Sequence, residues 1–382
     1  MKILIPRNVD ARNIKAQDIN VREMISRFNN SNIKYKVFYN ENNDAIYKNK
    51  GNVHVEKIHF PNPSIAGQKF NYINRKIKLT FHEIEMFFRY ISDHDAIFYP
   101  NERNLYLFAL MINRFLKKIP IISTIEGMYG NKIHEKIFRD IIGHDIYMIP
   151  IKKRKHFYPI QKISNHVIAI SPILKKYADT FYKVECSILP LGINTNIFYP
   201  KDIKKEREEI TIISAGRLSR LKRPDFFIKI ASKFKNVKFT WYGEGPMRSY
   251  IENIIKKYRL DNVLFPGSVD QVTLSNKMRE ADIFISTSLS EGWGKSIQEA
   301  QACALPVVAF GYYETPLIDN NQTGYIAWND EEFVQIVDHL INNPKDRHNI
   351  SHAAAKQAKK LSWDMVAPLW EKKILEIIGA QK

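Results

Sequence analysis

Short apolar runs alternate with longer stretches of helical periodicity along most of this chain. Brief runs rich in Ile, Val, Phe and Tyr, bounded by turn residues, predict buried strands. In the first half these are Lys2–Ile5, Tyr35–Tyr39, Val53–Ile58, Ala96–Tyr99, Pro120–Ile125, His166–Ile170 and Cys186–Leu189. Amphipathic stretches such as Leu105–Lys118 and Ile133–Ile142 fall between them and predict helices. Strands alternating with helices argue for parallel sheets covered on both faces.

The segment Pro200–Glu209 is charged and carries no core pattern, so it reads as a linker. A second alternation follows. Its strands are Ile210–Ala215, Val237–Tyr242, Val263–Phe265, Ile283–Thr287 and Pro306–Phe310, with helices such as Pro224–Phe234 and Lys295–Ala304. The tail from Asp330 is mostly helical. The expected fold class is α/β, with one Rossmann-like domain over 1–200 and a second over 201–362. Two such halves predict a ligand in the cleft between them, at strand carboxyl ends.

Composition narrows the class. At ~150 residues per domain, 382 residues suit two or three domains. Cys186 and Cys303 are the only cysteines, too few for a disulfide framework, and no CxxC motif exists. This usage fits a reducing compartment, so a cytoplasmic location is expected. No apolar run approaches the ~18 residues of a membrane span. The opening MKILIPRNVD reads as a first strand rather than a secretory leader.

Charge changes the picture most. Lys and Arg number 58 against 40 Asp and Glu, a formal net of +18. Residues 1–200 hold 31 basic and 17 acidic residues, net +14; residues 201–382 hold 27 and 23, net +4. A surface of this kind attracts nucleic acid, an anionic membrane or an anionic small substrate. It is equally what a merely basic, solvated surface looks like.

The strongest chemical motif is Ser290-Glu-Gly-Trp-Gly-Lys-Ser-Ile-Gln-Glu-Ala300. It follows an apolar strand, so Glu291–Gly294 is a strand-to-helix turn. A helix start offers free N–H groups suited to phosphate. Gly292 and Gly294 allow close backbone approach. Glu291 can reach sugar hydroxyls from the turn, and Glu299, one turn after Lys295, can accept from a ribose diol. The plain alternative is an ordinary glycine turn with a solvated Lys295–Glu299 pair. Neither the P-loop nor the dinucleotide fingerprint fits, because Leu289 and Ile297 stand where glycines are required.

A second motif is Ser214-Ala-Gly-Arg-Leu-Ser-Arg-Leu-Lys-Arg-Pro-Asp225. The strand runs into Gly216 and a cationic loop, and Pro224 suits the first turn of a helix. Arg217 can fork onto phosphate oxygens and Lys222 adds a point charge. Arg220 and Arg223 are read as solvated neighbours.

Arg217 with Lys222, then Glu291 eight residues before Glu299, resembles glycosyltransferase family 4. The resemblance extends over most of the chain. Tyr242-Gly-Glu-Gly-Pro246 and Phe265-Pro-Gly-Ser-Val-Asp270 resemble the family's glycine turns, at Gly243 and at Gly267 with Val269. His166–Ser171, Leu189–Asn194 and Phe198–Pro200 resemble its approach to the linker. Leu361-Ser-Trp-Asp364 resembles the start of its last helix, here 363–382, which crosses back to the first domain.

The resemblance implies a GT-B fold and a retaining, metal-independent hexosyl transfer from a nucleoside diphosphate sugar, UDP or GDP, to an acceptor hydroxyl. It implies no cofactor beyond that donor substrate. Glu291 would contact the transferred sugar, and backbone N–H groups of Trp293, Gly294 and Lys295 would hold sugar and phosphate. Glu299 would bind the ribose, with Gly216, Gly243, Gly267, Val269 and Gly292 lining the nucleotide. Arg217 and Lys222 would neutralise the departing diphosphate. The acceptor would be a glycan or lipid-linked sugar in surface polysaccharide, lipopolysaccharide or glycolipid assembly, met at an anionic membrane surface by the first domain.

The sequence departs from the family pattern at three places. Pro6–Asp10 has no glycine where a glycine-rich loop is usual. Glu126, after Ile121–Ile125, stands where a histidine touches the sugar, with Arg7 and Arg12 as candidate balancing charges. Ala304-Leu305 precedes the Pro-Val-Val strand where a glycine is usual. Weaker features read as structural: Asp93-His-Asp95 as an imitation metal motif, and His348 with His352 as a solvated helix face. The run Lys152–Tyr158 is basic with aromatics, suited to anionic headgroups or to solvent. Leu105–Leu116 reads as a core helix rather than an interfacial one. The rival class is a basic nucleic-acid-binding protein, but no recognised nucleic-acid motif supports it and no nucleic-acid partner is expected.

Overall fold

A computed structural model describes residues 1–8, 16–40, 53–58, 84, 88–100, 107–127, 160–200 and 209–380. The described residues divide into two units. Residues up to 127, 160–192 and 363–380 form the first; 193–200 and 209–362 form the second.

The first unit is a seven-stranded, all-parallel sheet. Its strands are β1 (Lys2–Asn8), β2 (Lys34–Asn40), β3 (Val53–Ile58), β4 (Ala96–Tyr99), β5 (Ile121–Ile125), β6 (His166–Ala169) and β7 (Cys186–Ile188), in the order β3-β2-β1-β4-β5-β6-β7. Every residue of β4, β5 and β6 is buried, as strands covered on both faces must be. Helices α1 (Ala16–Ile25), α2 (Leu107–Leu116) and α3 (Pro172–Phe181) belong to this unit. On α2, Ala109 and Leu110 join a core cluster with Leu4, Tyr90, Ile97 and Tyr99. The helix is thus a core helix on one face, but its far end leaves Phe115 75% and Leu116 62% exposed.

The second unit is a six-stranded parallel sheet in the order β10-β9-β8-β11-β12-β13. Its elements are β8 (Thr211–Ala215), α4 (Pro224–Ala231), β9 (Lys238–Tyr242), α5 (Arg248–Tyr258), β10 (Val263–Gly267), α6 (Gln271–Glu280), β11 (Ile283–Ser286), α7 (Lys295–Ala302), β12 (Val307–Phe310), β13 (Tyr325–Ala327), α8 (Asp330–Asn342) and α9 (Pro344–Lys360). Phe227 sets its ring edge-on to Phe239 and Trp241 at 5.5 and 5.3 Å between centroids, filling the core under β9. Strand β13 is not predicted by the pattern. It is three residues long, at the sheet edge, too short for a periodic signal.

The last helix, α10 (Trp363–Ala380), belongs to the first unit. Its Trp370 indole N–H donates to the Pro190 carbonyl at 2.7 Å. Its buried Glu371 accepts from the Tyr35 hydroxyl at 2.5 Å and from the Asn30 N–H at 3.1 Å. A Cβ on Gly192 would meet the Trp363 ring at 2.4 Å, so only glycine lets the strand exit pass beneath that indole.

The units divide at Gly192/Ile193, ahead of the expected boundary at Pro200. The reason is local bonding. The Ile193 N–H donates to the Leu361 carbonyl at 2.8 Å, and the Ile197 carbonyl accepts from Ser275 on α6 at 2.5 Å. Residues 201–208 of the expected linker, the helix expected at 133–142 and the basic run 152–158 lie outside the described residues.

Candidate functional site

Three glycines close the carboxyl ends of β8, β9 and β10. The Gly216 N–H donates to the Tyr242 carbonyl at 2.9 Å, and the Gly243 N–H to the Gly267 carbonyl at 2.8 Å. Gly243 has φ +145°, and a Cβ there would lie 2.0 Å from the Gly216 carbonyl oxygen. Backbones approach so closely that no side chain fits between them. The Trp241 indole N–H holds the same Gly216 carbonyl at 2.9 Å.

Beyond Gly216 the chain presents Arg217, which is exposed, and anchors itself with fully buried Leu218. The turn Arg220–Lys222 then leads into α4 through Arg223, which has φ +49°. Arg223 is not a solvated neighbour as expected. Its guanidinium forks onto Asp330 with two contacts of 2.7 Å and lies 4.3 Å over the Phe226 ring. That arrangement ties α4 to the start of α8 and takes Arg223 out of the pool of phosphate ligands.

Strand β11 lies beside β8, where the strand order reverses, the position at which doubly wound sheets bind ligands. The two loops leaving these strands are bonded together. The Thr287 hydroxyl donates to the Lys222 carbonyl at 2.7 Å, and the Leu289 N–H to the Leu221 carbonyl at 2.9 Å. So braced, the Lys222 ammonium donates to the Glu291 carboxylate, with 23% and 13% of the two side chains exposed.

The turn after Glu291 starts α7. Gly294 adopts φ +90° at the N-cap and, as glycine, makes no side-chain cap hydrogen bond there. Trp293 is buried, and its indole N–H donates to Gln298 Oε1 at 3.1 Å. The Lys295 ammonium reaches the same oxygen at 3.2 Å. Glu299 is no solvated partner of Lys295: it is buried, and burial pushes its carboxyl up to about 7, with the Lys295 charge pulling the other way. The second unit therefore gathers cations, a helix start, two carboxylates of different environment and a glycine floor around one sheet end.

Residues 196–357 match the family model of glycosyl transferases group 1. The second unit carries a group 1 glycosyltransferase domain. A human subunit of phosphatidylinositol N-acetylglucosaminyltransferase is 28% identical over 156 residues, 38% of this chain and 32% of that protein. D-inositol 3-phosphate glycosyltransferase of Mycobacterium tuberculosis is 29% identical over 193 residues, 45% of this chain and 40% of that one. The chain thus spans about a third to two fifths of the length of these curated relatives. Among solved structures, sucrose-phosphate synthase from Thermosynechococcus elongatus superposes with a TM-score of 0.75 over 99% of both chains at 15% identity. HepE of Anabaena, solved in complex with UDP and glucose, gives 0.69 over 98% of this chain and 100% of that chain, also at 15% identity. These likenesses show the fold, which is GT-B.

Within the second unit, the residues expected to form the site, Gly216, Arg217, Lys222, Gly243, Gly267, Glu291, Gly292, Trp293, Gly294 and Lys295, lie on loops, strand ends or helix starts at the carboxyl ends of β8 to β11, with Glu299 in the second turn of α7. Val269 follows β10 and is 37% exposed. Glu126 is in the first unit, half-buried at the end of β5. The side chain of Arg7 and all of Arg12 lie outside the described residues. Asp93 pairs with the Lys2 ammonium at 2.9 Å and Asp95 accepts the Lys2 N–H at 2.8 Å, so both act as strand-end anchors. Among the described residues no group of three His, Cys, Asp or Glu could hold a metal ion, and His348 and His352 stand without a third ligand. Sequence reasoning missed Thr287, Trp241 and Gln298, the residues that hold the site in place. Thr287 donates to the Lys222 and Arg223 carbonyls, Trp241 to the Gly216 carbonyl, and Gln298 accepts from Trp293 and Lys295, pairings that no local motif records.

Proposed function

We propose that this chain transfers a sugar from a nucleoside diphosphate sugar to an acceptor hydroxyl with retention of anomeric configuration. The observation that carries the reading is the Lys222–Glu291 contact between the loops of β8 and β11, beside the start of α7 at Gly294. In this reading the cation meets the donor's diphosphate and the carboxylate meets its sugar.

In this reading Arg217 and Lys222 take up the charge that grows on the departing diphosphate. The N–H groups of Trp293, Gly294 and Lys295 hold sugar and phosphate, and Glu291 receives sugar hydroxyls. Glu299 accepts from the ribose diol, and Gly216, Gly243, Gly267, Gly292 and Val269 line the nucleotide. These fixed cations do the work a metal would otherwise do, and no cofactor is needed. The donor phosphate takes the acceptor proton as the new bond forms. Glu126 of the first unit grips a sugar hydroxyl or the acceptor. UDP and glucose bound to HepE make uridine donors the first to try.

The acceptor is a glycan or lipid-linked sugar in polysaccharide or glycolipid assembly, met at the cytoplasmic face of an anionic membrane. Relatives named for inositol lipid and inositol phosphate substrates support an anionic acceptor. The net +14 of residues 1–200 supports an anionic surface, as does exposed Phe115 beside Arg114 and Lys118. No helix among the described residues is long and apolar enough to cross a membrane. A panel of nucleotide sugars tests the donor reading: diphosphate release stimulated by a glycan acceptor, with an axial-to-axial product by NMR, is the expected result. No release from any donor would sink it.

A further inference from the structure

Trp328 follows β13 directly and is 57% exposed, whereas the other four tryptophans, Trp241, Trp293, Trp363 and Trp370, are buried. The exposed residue is firmly held. Its N–H donates to the Glu332 carboxylate at 2.7 Å, and its carbonyl accepts from the Tyr312 hydroxyl at 2.7 Å. Next to it the Asn329 side chain accepts from the Glu332 N–H at 2.8 Å and caps α8. The indole itself lies over Gly311: a Cβ there would meet its Cη2, Cζ2 and Cζ3 atoms at 2.7, 2.8 and 2.8 Å. The six-membered ring thus rests on bare backbone, with much of the side chain left in water.

The charge around this ring selects its ligand. Residues 311–332 hold Glu314, Asp319, Asp330, Glu331 and Glu332 and no Lys, Arg or His, in a chain of net +18. Arg223 neutralises Asp330, but Glu314 and Glu331 are exposed. Such a surface repels phosphate, nucleic acid and anionic headgroups, the ligands that the rest of the chain attracts. A neutral sugar suits it. The C–H face of a pyranose packs on an indole, and its hydroxyls donate to carboxylates.

Position selects which sugar. β11, β12 and β13 are consecutive in the sheet, with Ser286 opposite Ala309 and Phe310 opposite Ala327. The 287–294 loop, the Gly311 turn and Trp328 therefore leave the same sheet end in a row. The residues expected to line the donor run from Gly267 on β10 to the loop after β11, three strand spacings or about 14 Å. Trp328 extends that row by two further spacings, about 10 Å, on the side away from β10. A donor with its base by β10 and its sugar at Glu291 leaves Trp328 uncovered.

We infer that Trp328 forms an acceptor subsite: its indole stacks on a neutral pyranose ring of the acceptor glycan, next to the ring that carries the attacking hydroxyl. This rests on the reading of the 287–294 loop as the place of the donor sugar.

The test uses the whole chain, with the methyl glycosides of glucose, galactose, mannose, rhamnose and N-acetylglucosamine as probes. Because the other four indoles are buried, acrylamide quenching of the fluorescence reports on Trp328. At least one glycoside should protect it. Trp328→Ala should weaken that glycoside about tenfold or more in an NMR titration, and Trp328→Phe, which keeps a ring face, less than about threefold. Gly311→Ala should weaken it as well while the urea midpoint holds, since only the far end of the indole must move. That variant keeps the test decisive where Trp328→Ala does not fold. UDP and UDP-glucose should bind every variant within about twofold of the parent. No protection by any glycoside, parental glycoside affinity in both Trp328→Ala and Gly311→Ala, or a loss of UDP or UDP-glucose as large as that of the glycoside would each overturn the inference. Protection that Trp328→Ala abolishes, in a chain that transfers no sugar, would support the stacking site and remove the donor reading instead.

Discussion

Lys222 and Glu291 meet although 69 positions separate them in the chain. Their loops leave β8 and β11, neighbours only because the strand order reverses there. The contact joins a group that attracts phosphate to one that attracts sugar hydroxyls. Lys222→Ala should lower kcat by ~10²-fold or more if the ammonium stabilises leaving-group charge. Steady-state kinetics with the best donor decides it, and normal turnover would reduce Lys222 to a structural partner of Glu291.

Glu299 is pushed up to about 7 from 4.5 by burial. Because its folded value is raised, its contribution to stability is fully present below about 4.5 and is lost as pH rises through about 7. Glu299→Gln removes that loss, so the variant should gain stability over the parent across this window. Donor binding should run the other way. The ionised carboxylate is the form that accepts from two hydroxyls, so parental affinity for a nucleotide sugar should rise between about pH 6 and about pH 8. Glu299→Gln should bind about 10-fold to 100-fold more weakly, with no such rise. Calorimetry at several pH values tests both, and a parental affinity independent of pH would remove Glu299 from the ribose site.

Ala304 occupies the left-handed region at φ +57°, directly after α7. A Cβ is strained there and glycine is not. Ala304→Gly should therefore stabilise the chain by about 0.5–1 kcal/mol despite the freedom glycine adds to the unfolded state. The opposite is expected at Gly243, where a Cβ would collide with the Gly216 carbonyl. Gly243→Ala should cost stability and donor binding together. Urea unfolding of the two variants gives the answer, and equal midpoints would refute the backbone argument.

Glu126 sits half-buried at the end of β5. If it grips a sugar hydroxyl or the acceptor, Glu126→Gln should lose much of the transfer activity while nucleotide affinity holds or rises, since a negative charge is removed. Transfer and donor hydrolysis measured separately test this. Parental rates in both Glu126→Gln and Glu126→His would place the residue outside the site.

Reversible binding to anionic vesicles should run through the first unit and weaken with salt. Neutralising Lys152, Lys153, Arg154 and Lys155 should reduce it, and so should Phe115→Ser on α2. Vesicle sedimentation is the readout; equal binding to neutral vesicles would argue for a soluble acceptor.

Much of the fold is legible from residues alone, for a physical reason. Strands buried on both faces must be nearly all apolar, so β4, β5, β6, β11 and β12 announce themselves as short hydrophobic runs. The helices between them carry the other period. The missed strand, β13, has three residues and one neighbour, too little burial to leave a pattern. The candidate site is legible in its glycines and in which side chains bring charge, but not in how those side chains pair. Gly243 and Gly294 are demanded by local conformation and close approach, and such demands are written at the residue itself.

What the sequence determined by itself is therefore local: which segments are strands and helices, where glycines must stand, and which side chains bring charge. Tertiary structure decided the pairings. That Arg223 is spent on Asp330 while Lys222 reaches Glu291 depends on which loops the sheet order brings together. That Glu299 is buried near neutrality rather than solvated beside Lys295 depends on what packs over α7. Pairing and desolvation are properties of neighbours in space, and the chain order alone does not state who those neighbours are.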